Sequence, residues 1–280
     1  MTTSTDPKTI AINGTTLHYV EQGQGTPVVF VHGGLGSYLS WPFQLEALAP
    51  HARVVAYSER YHWPNAHDGD LTDYTPTQHA TDLAALIEHL DLAPTVVVGQ
   101  SYGGLITLTM ATRYPHLVRA LVIAEPPVFA WLTATPKGQE LQSWWMQEVD
   151  APTRAGFVEG GSETGIRNFI DGVNGMAGSY AAIPPAIRDR MLQNARTLDP
   201  GITTVHDTYV TRDAVRSITM PVLLVQGELS PAVLVHLVDE LQACLPDSER
   251  VVIPGASHSM WGANPDACNA ALRAFLARLA

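Results

Sequence analysis

Residues 95–104, TVVVGQSYGG, constrain this chain more than any other stretch. A short β-branched run meets a helical pattern, Tyr102 to about Tyr114, with a single residue at the junction. A strand that turns so abruptly into a helix forces Ser101 into a strained backbone conformation. Gly99 and Gly103, two before and two after, let the neighbouring backbones approach without a clash. The hydroxyl then stands at the C-terminal edge of a sheet, beside a helix N-terminus that favours developing negative charge. G-x-S-x-G alone is a weak pattern, but between a strand and a helix it reads as a nucleophile elbow.

The chain around it has the rhythm such an elbow needs. KTIAIN and TLHYVEQ are joined by Asn13-Gly14, a hairpin signal. PVVFVH, RVVAYS, TVVVG and ALVIAE are buried strands separated by helical patterns, so the sheet is expected to be mostly parallel with helices on both faces. The alternation stops at Pro126-Pro127. Up to about Met220 only helical pieces appear, GQELQSWWMQEV and PPAIRDRMLQNAR, separated by glycines at 156, 160, 161, 165, 172, 175 and 178. Strand–helix alternation then resumes with PVLLVQG, so the helical stretch reads as an insertion between two strands of one sheet.

Composition narrows the partners. For a chain of 280 residues, a net charge of −11 argues against nucleic acid or an anionic membrane as a partner. No apolar run reaches the ~18 residues of a membrane span, and the N-terminus lacks an apolar leader. Cys244 and Cys268, the only cysteines, lie in amphipathic segments as core or half-buried thiols. A reduced, cytoplasmic protein is the expectation.

Two further segments carry chemistry. His32-Gly33-Gly34-Leu35-Gly36 follows a strand and can present the Gly34 N–H to an oxyanion, paired with the N–H of Tyr102. It is not a dinucleotide fingerprint, because it lacks G-x-G-x-x-G. Among eleven histidines, His258 stands apart, in a loop between the last strand and the last helix, where a base can reach toward Ser101. His51, His79, His89, His116 and His236 fall on helices or their ends, and His62, His67 and His206 in polar loops. No pair has the spacing and context of a zinc site.

Together these features resemble the α/β-hydrolase family. The resemblance implies an eight-stranded, mostly parallel sheet, with residues 1–125 and 221–280 as the core domain and 126–220 as a helical cap. In most members the triad acid follows the seventh strand, a few residues after a terminal glycine. Here that position is Ser230, in GELSPAV, which cannot stabilise an imidazolium. Glu228 is close by. Glu125, ending ALVIAE between apolar flanks, should be partly buried and in need of a partner. It occupies the place used by zearalenone-type lactone hydrolases and by one subclass of haloalkane dehalogenases. The expected triad is Ser101, His258 and Glu125, with Glu228 as the alternative acid.

The expected reaction is hydrolysis of a carboxylic ester or lactone, with neither metal nor organic cofactor. Trp131, Trp144, Trp145, Phe157, Phe169, Met176 and Tyr180 supply apolar surface from the cap, with Leu35 and Met260 beside the catalytic loops. Taken as a pocket they suit a medium-sized apolar or aromatic small molecule; the same residues also suffice to pack the cap on the core. YSERYHWPNAHDGD forms another prospective wall, with no role evident for Tyr61 to Asn65. A homodimer is left open. Rival readings are a cofactor-free oxygenase, a lyase, a C–C bond hydrolase, or a ligand-binding receptor that retains the triad.

Overall fold

Asn13 and Gly14 both take positive φ, 44° and 73°, the requirement of a tight hairpin turn, and join β1 (Lys8–Ile12) to β2 (Thr15–Gln22). The computed structural model describes residues 6–65, 71–199 and 210–279; His67 and His206 lie outside the described residues. After the hairpin come β3 (Thr26–Val31), β4 (Ala52–Tyr57), β5 (Thr95–Gln100), β6 (Val118–Ala124), β7 (Val222–Gly227) and β8 (Glu249–Ile253). They form one eight-stranded sheet in the order β1-β2-β4-β3-β5-β6-β7-β8, parallel from β4 through to β8.

Alternation along the strands divides the core in two. Val29, Val31, Val55 and Val97 face one layer, while Val28, Phe30, Val54, Val96 and Val98 face the other. The first layer is closed by α2 (Pro76–His89), α3 (Tyr102–Arg113) and, further along the chain, Ala232–Cys244. The second is closed by α1 (Pro42–Leu48) and the last helix, Pro265–Arg278. Both cysteines are buried and free.

Between β6 and β7 the described residues form no strand. They form α4 (Pro136–Trp145), a π-helical turn over Met146–Asp150, α5 (Ala151–Asn174), α6 (Ser179–Ala182), α7 (Pro185–Gln193) and α8 (Arg212–Arg216). The glycines expected to separate short helices mostly lie inside α5. It breaks once, at Gly161 (φ 75°), and folds back so that a Cβ on Gly156 would fall 2.9 Å from the Gly165 Cα. The Asn168 side chain ties the limbs by donating to the Pro152 carbonyl (2.8 Å). Gly156, Gly165 and Gly172 permit close helix contact; Gly161 breaks α5, Gly175 (φ 62°) ends it and Gly178 (φ 86°) precedes α6. Later helices are α9 (Ala232–Cys244), α10 (Met260–Ala263) and α11 (Pro265–Arg278).

Candidate active site

Ser101 sits between β5 and α3 at φ 53°, ψ −121°. The glycines around it are imposed by contact. A Cβ on Gly99 would lie 2.3 Å from the Thr107 hydroxyl oxygen, and one on Gly103 only 2.3 Å from the His32 carbonyl oxygen. The elbow is wired to its neighbours: the Ser101 N–H donates to the Ala124 carbonyl (2.8 Å), and the Gln100 amide to the His258 carbonyl (2.7 Å). Gly33 packs against it, so that a Cβ there would lie 3.2 Å from the Ser101 Cβ, whereas a Cβ on Gly34 would meet open space.

Glu125 follows β6 directly, fully buried and at φ 44°, a conformation that costs a non-glycine residue of order 1–3 kcal/mol. The turn places its carboxylate between adjacent strands. Oε1 accepts the Gly227 N–H from the end of β7 (2.8 Å), and Oε2 lies 2.6 Å from His258 Nδ1. Glu228 instead is exposed and accepts the Gly255 N–H (2.7 Å). The Ser230 hydroxyl is buried without a hydrogen-bond partner. Among the described residues, Glu125 is the carboxylate paired with His258.

Ser101, His258, Gly34 and Tyr102 line one cavity of about 440 Å³. Of the expected substrate contacts, Trp131, Trp145 and Phe169 line it, joined by Phe129, Leu105 and Tyr74. The others do not. Leu35 and Tyr180 are buried in a separate apolar cluster that Phe157 packs against, and Met260 is buried in the second core layer. Trp144 and Met176 are exposed. Trp144, Phe157, Met176 and Tyr180 do lie in the insertion, but the direction of each side chain is decided by how the helices dock. The wall also carries Gln142 and Asp150. Trp145 Nε1 donates to Asp150 Oδ1 (2.9 Å), and burial raises the Asp150 carboxyl above its ordinary pKa.

The segment after β4 is a braced knot, and none of residues 57–65 lines the cavity. Arg60 grips Asp82 through Nε (2.8 Å) and Nη2 (2.9 Å), and the Tyr61 hydroxyl donates to Asp73. The Asn65 amide donates to the carbonyls of Ser58 and Glu59 (both 2.8 Å), and its Oδ1 accepts the His18 N–H (2.8 Å). His62, expected in a polar loop, is fully buried, and so are His32, Glu59 and, very nearly, His79. His32, Glu59 and His62 each bring a ligand-type atom within 4.8 Å of the others. However, His32 Nε2 accepts the Glu59 N–H (3.0 Å), so Nδ1 carries the proton that goes to the Gly33 carbonyl (2.8 Å). A cation here would have to break a backbone hydrogen bond, and the trio does not fit a metal centre.

Burial governs the charge state of this cluster. It pushes His32 down to about 4 and His79 to about 3, with repulsion from His32 and Arg60 adding at His79, and it raises Glu59 well above 4.5. His79 Nδ1 approaches a Glu59 carboxylate oxygen at 3.8 Å, and burial disfavours the charged form of both groups. Each histidine contributes stability that is full above 6.5 and is lost as the pH falls toward 4 or 3. Glu59 contributes in the opposite sense: its share is full below 4.5 and is lost as the pH rises through its folded value. Glu59→Gln, similar in volume and without a proton to lose, should raise Tm relative to the parent at pH 8–9 and change it little at pH 5. Thermal unfolding from pH 4 to 9 checks this, and parallel profiles would show that Glu59 is not the group losing a proton.

A family model described as the alpha/beta hydrolase fold matches residues 26–158. The chain is 29% identical to a non-heme haloperoxidase of Rhodococcus erythropolis, over 96% of this chain and 99% of that protein. It is 26% identical to the 2-(acetamidomethylene)succinate hydrolase of Mesorhizobium japonicum, over 95% and 94%. The solved structure of Est816, described as an N-acyl homoserine lactone degrading enzyme, superimposes with a TM-score of 0.74 at 22% identity, covering 96% of this chain and all of that one. With the sheet order and the strand–serine–helix elbow, these matches show that the chain has the α/β-hydrolase fold.

Proposed function

We propose that the chain is a serine hydrolase that cleaves a neutral, medium-sized apolar or aromatic ester or lactone. The observation that carries this reading is the buried Glu125–His258 pair opening on the same cavity as Ser101 at its positive-φ elbow. His258, oriented through Nδ1 by Glu125, takes the Ser101 proton as Oγ attacks the carbonyl carbon. The N–H groups of Gly34 and Tyr102 hold the resulting oxyanion. Collapse of the tetrahedral intermediate breaks the bond to the alkoxy oxygen, which takes the proton from His258. Water, deprotonated by the same imidazole, then attacks the acyl carbon; the bond to Ser101 Oγ breaks, Oγ takes the proton back from His258, and the acid is released. The reaction uses only this chain's side chains and water, and the inserted helices act as the cap that selects the substrate.

The walls narrow the class. Trp131, Trp145, Phe129 and Phe169 supply apolar and aromatic surface, and no Lys or Arg lines the cavity among the described residues. A carboxylate-bearing substrate would enter without a cationic partner and face Asp150. A panel of esters and lactones graded in size, half of them carrying a free carboxylate, tests the reading. Neutral members should exceed their carboxylated analogues by at least tenfold in kcat/KM. Phe169→Ala, which removes half-buried cavity wall, should raise KM roughly 5- to 10-fold for aromatic esters and leave kcat nearly unchanged, as expected for ~1 kcal/mol of lost apolar contact. Preference for carboxylated substrates would overturn the substrate class; no turnover of any member would overturn the activity.

A further inference from the structure

Two buried asparagines of the inserted helices reach out of the insertion and hold the loops that flank the active serine. Asn194, just after α7, has every polar side-chain atom engaged. Its Nδ2 donates to the carbonyls of Leu35 (3.1 Å) and Gly36 (2.7 Å), and its Oδ1 accepts the Trp63 N–H (2.6 Å). The loop it grips is the one that contains Gly34. Leu35 is there at φ 66°, a left-handed conformation that its own side chain disfavours. That side chain is buried against Ile166, Ile170 and Tyr180, all from the insertion. The strained turn of the oxyanion loop is thus held, at both backbone and side chain, by residues outside the sheet domain.

Asn174, the last residue of α5, does the same for the base. Its Oδ1 accepts the Ser259 N–H (3.1 Å), and its carbonyl accepts the Ser257 hydroxyl (2.8 Å), so it holds both neighbours of His258. Its Nδ2 is returned to α5 at the Ile170 carbonyl (2.8 Å). Each loop has anchors of its own in the core: Gly36 N–H to the Gly33 carbonyl in one, the Gln100 amide to the His258 carbonyl in the other. The asparagines supply hydrogen bonds that come from the insertion.

We infer that Asn174 and Asn194 are positioning residues that lock the His258 loop and the Gly34 loop, so that the catalytic geometry is complete only while the inserted helices are docked. This rests on the serine-hydrolase reading for its kinetic consequence, but not for its structural one. The insertion then does more than cover the cavity: undocking it to admit substrate loosens the oxyanion loop and the base loop, and redocking restores both. Acylation is thereby tied to closure, and an open enzyme does not attack.

Three variants test it. Asn194→Asp is nearly isosteric and keeps the acceptor for Trp63, but it turns an oxygen toward the Leu35 and Gly36 carbonyls. Asn174→Ala removes the acceptor for Ser259. Asn168→Ala, which breaks the Pro152 tie within α5 and touches neither loop, is the control. The first two should lower kcat about 10- to 100-fold with KM within about threefold, the scale of a misplacement near 1 Å. Amide hydrogen exchange should rise over residues 33–36 in Asn194→Asp and over 257–259 in Asn174→Ala, and at neither place in Asn168→Ala. Normal kcat with a Tm lowered as in Asn168→Ala would overturn the inference and leave the asparagines as fasteners of the insertion. Should the parent protein hydrolyse no ester, the hydrolase reading fails on its own, and the exchange measurement still decides: unchanged protection at both loops overturns the inference.

Discussion

Ser101→Ala should abolish covalent labelling by a fluorophosphonate and lower kcat by about 10⁶-fold, the scale seen when a serine nucleophile that acts as one unit with its base is removed. The folded state should hardly notice. The substitution keeps the Cβ that makes φ 53° unfavourable, and removes a hydroxyl that faces the cavity. Ser101→Gly separates the two contributions. It loses the same activity but relieves the backbone strain, which costs of order 1–3 kcal/mol at such positions, so its Tm should rise above the parent's. A nucleophile held under strain is what an elbow predicts, because the tight turn that exposes the hydroxyl is also what destabilises it. Intact-mass labelling and thermal unfolding of the three proteins check both halves. Equal labelling of parent and Ser101→Ala would remove Ser101 as the nucleophile.

The elbow was legible because sterics leave few options there: Gly99 and Gly103 pack directly against backbone, and that requirement is written in residue type. The same holds for Asn13-Gly14 and for the two-residue alternation that divides the core. Side-chain direction in the insertion was not legible. Trp144 and Trp145 are adjacent, yet only Trp145 faces the cavity, because α4 is oriented by docking and not by its own pattern. The glycines of α5 look like breakers in sequence, while in space Gly156 and Gly165 serve a helix fold-back that no local signal encodes. Glu59 is the instructive omission. It lies two residues past the buried strand β4, as Glu125 lies directly after β6, but Glu125 is marked by apolar residues on both sides. The flanks of Glu59 differ, with Ser58 before it and Arg60 after, so the apolar context that marks Glu125 is missing from the sequence around Glu59 although the fold buries it as completely. Asn174 and Asn194 carry no such mark, since their partners lie 85 and 159 residues away in the chain.

Glu125→Gln should lower kcat by about 10⁴-fold, the effect expected when the carboxylate of a triad becomes an amide. The reason is visible in the two oxygens. Oε1 accepts the Gly227 N–H, a role that a glutamine oxygen can keep, so the φ 44° turn and the β6–β7 junction should survive. Oε2 faces His258 Nδ1 at 2.6 Å, and there the amide presents an NH₂. Two donors cannot share that contact, so the ring must give up its Nδ1 proton and carry it on the nitrogen needed to accept from Ser101. The imidazolium that forms during acylation also loses the buried charge that stabilises it. Glu228→Gln is the counterpart: its carboxylate is exposed and serves the Gly255 N–H, which an amide oxygen can still accept, so kcat should stay within about threefold. Steady-state rates of both variants on one substrate decide between the two acids. A large loss in Glu228→Gln with a small one in Glu125→Gln would return the acid to β7 and leave the pairing of Glu125 with His258 as a structural contact alone.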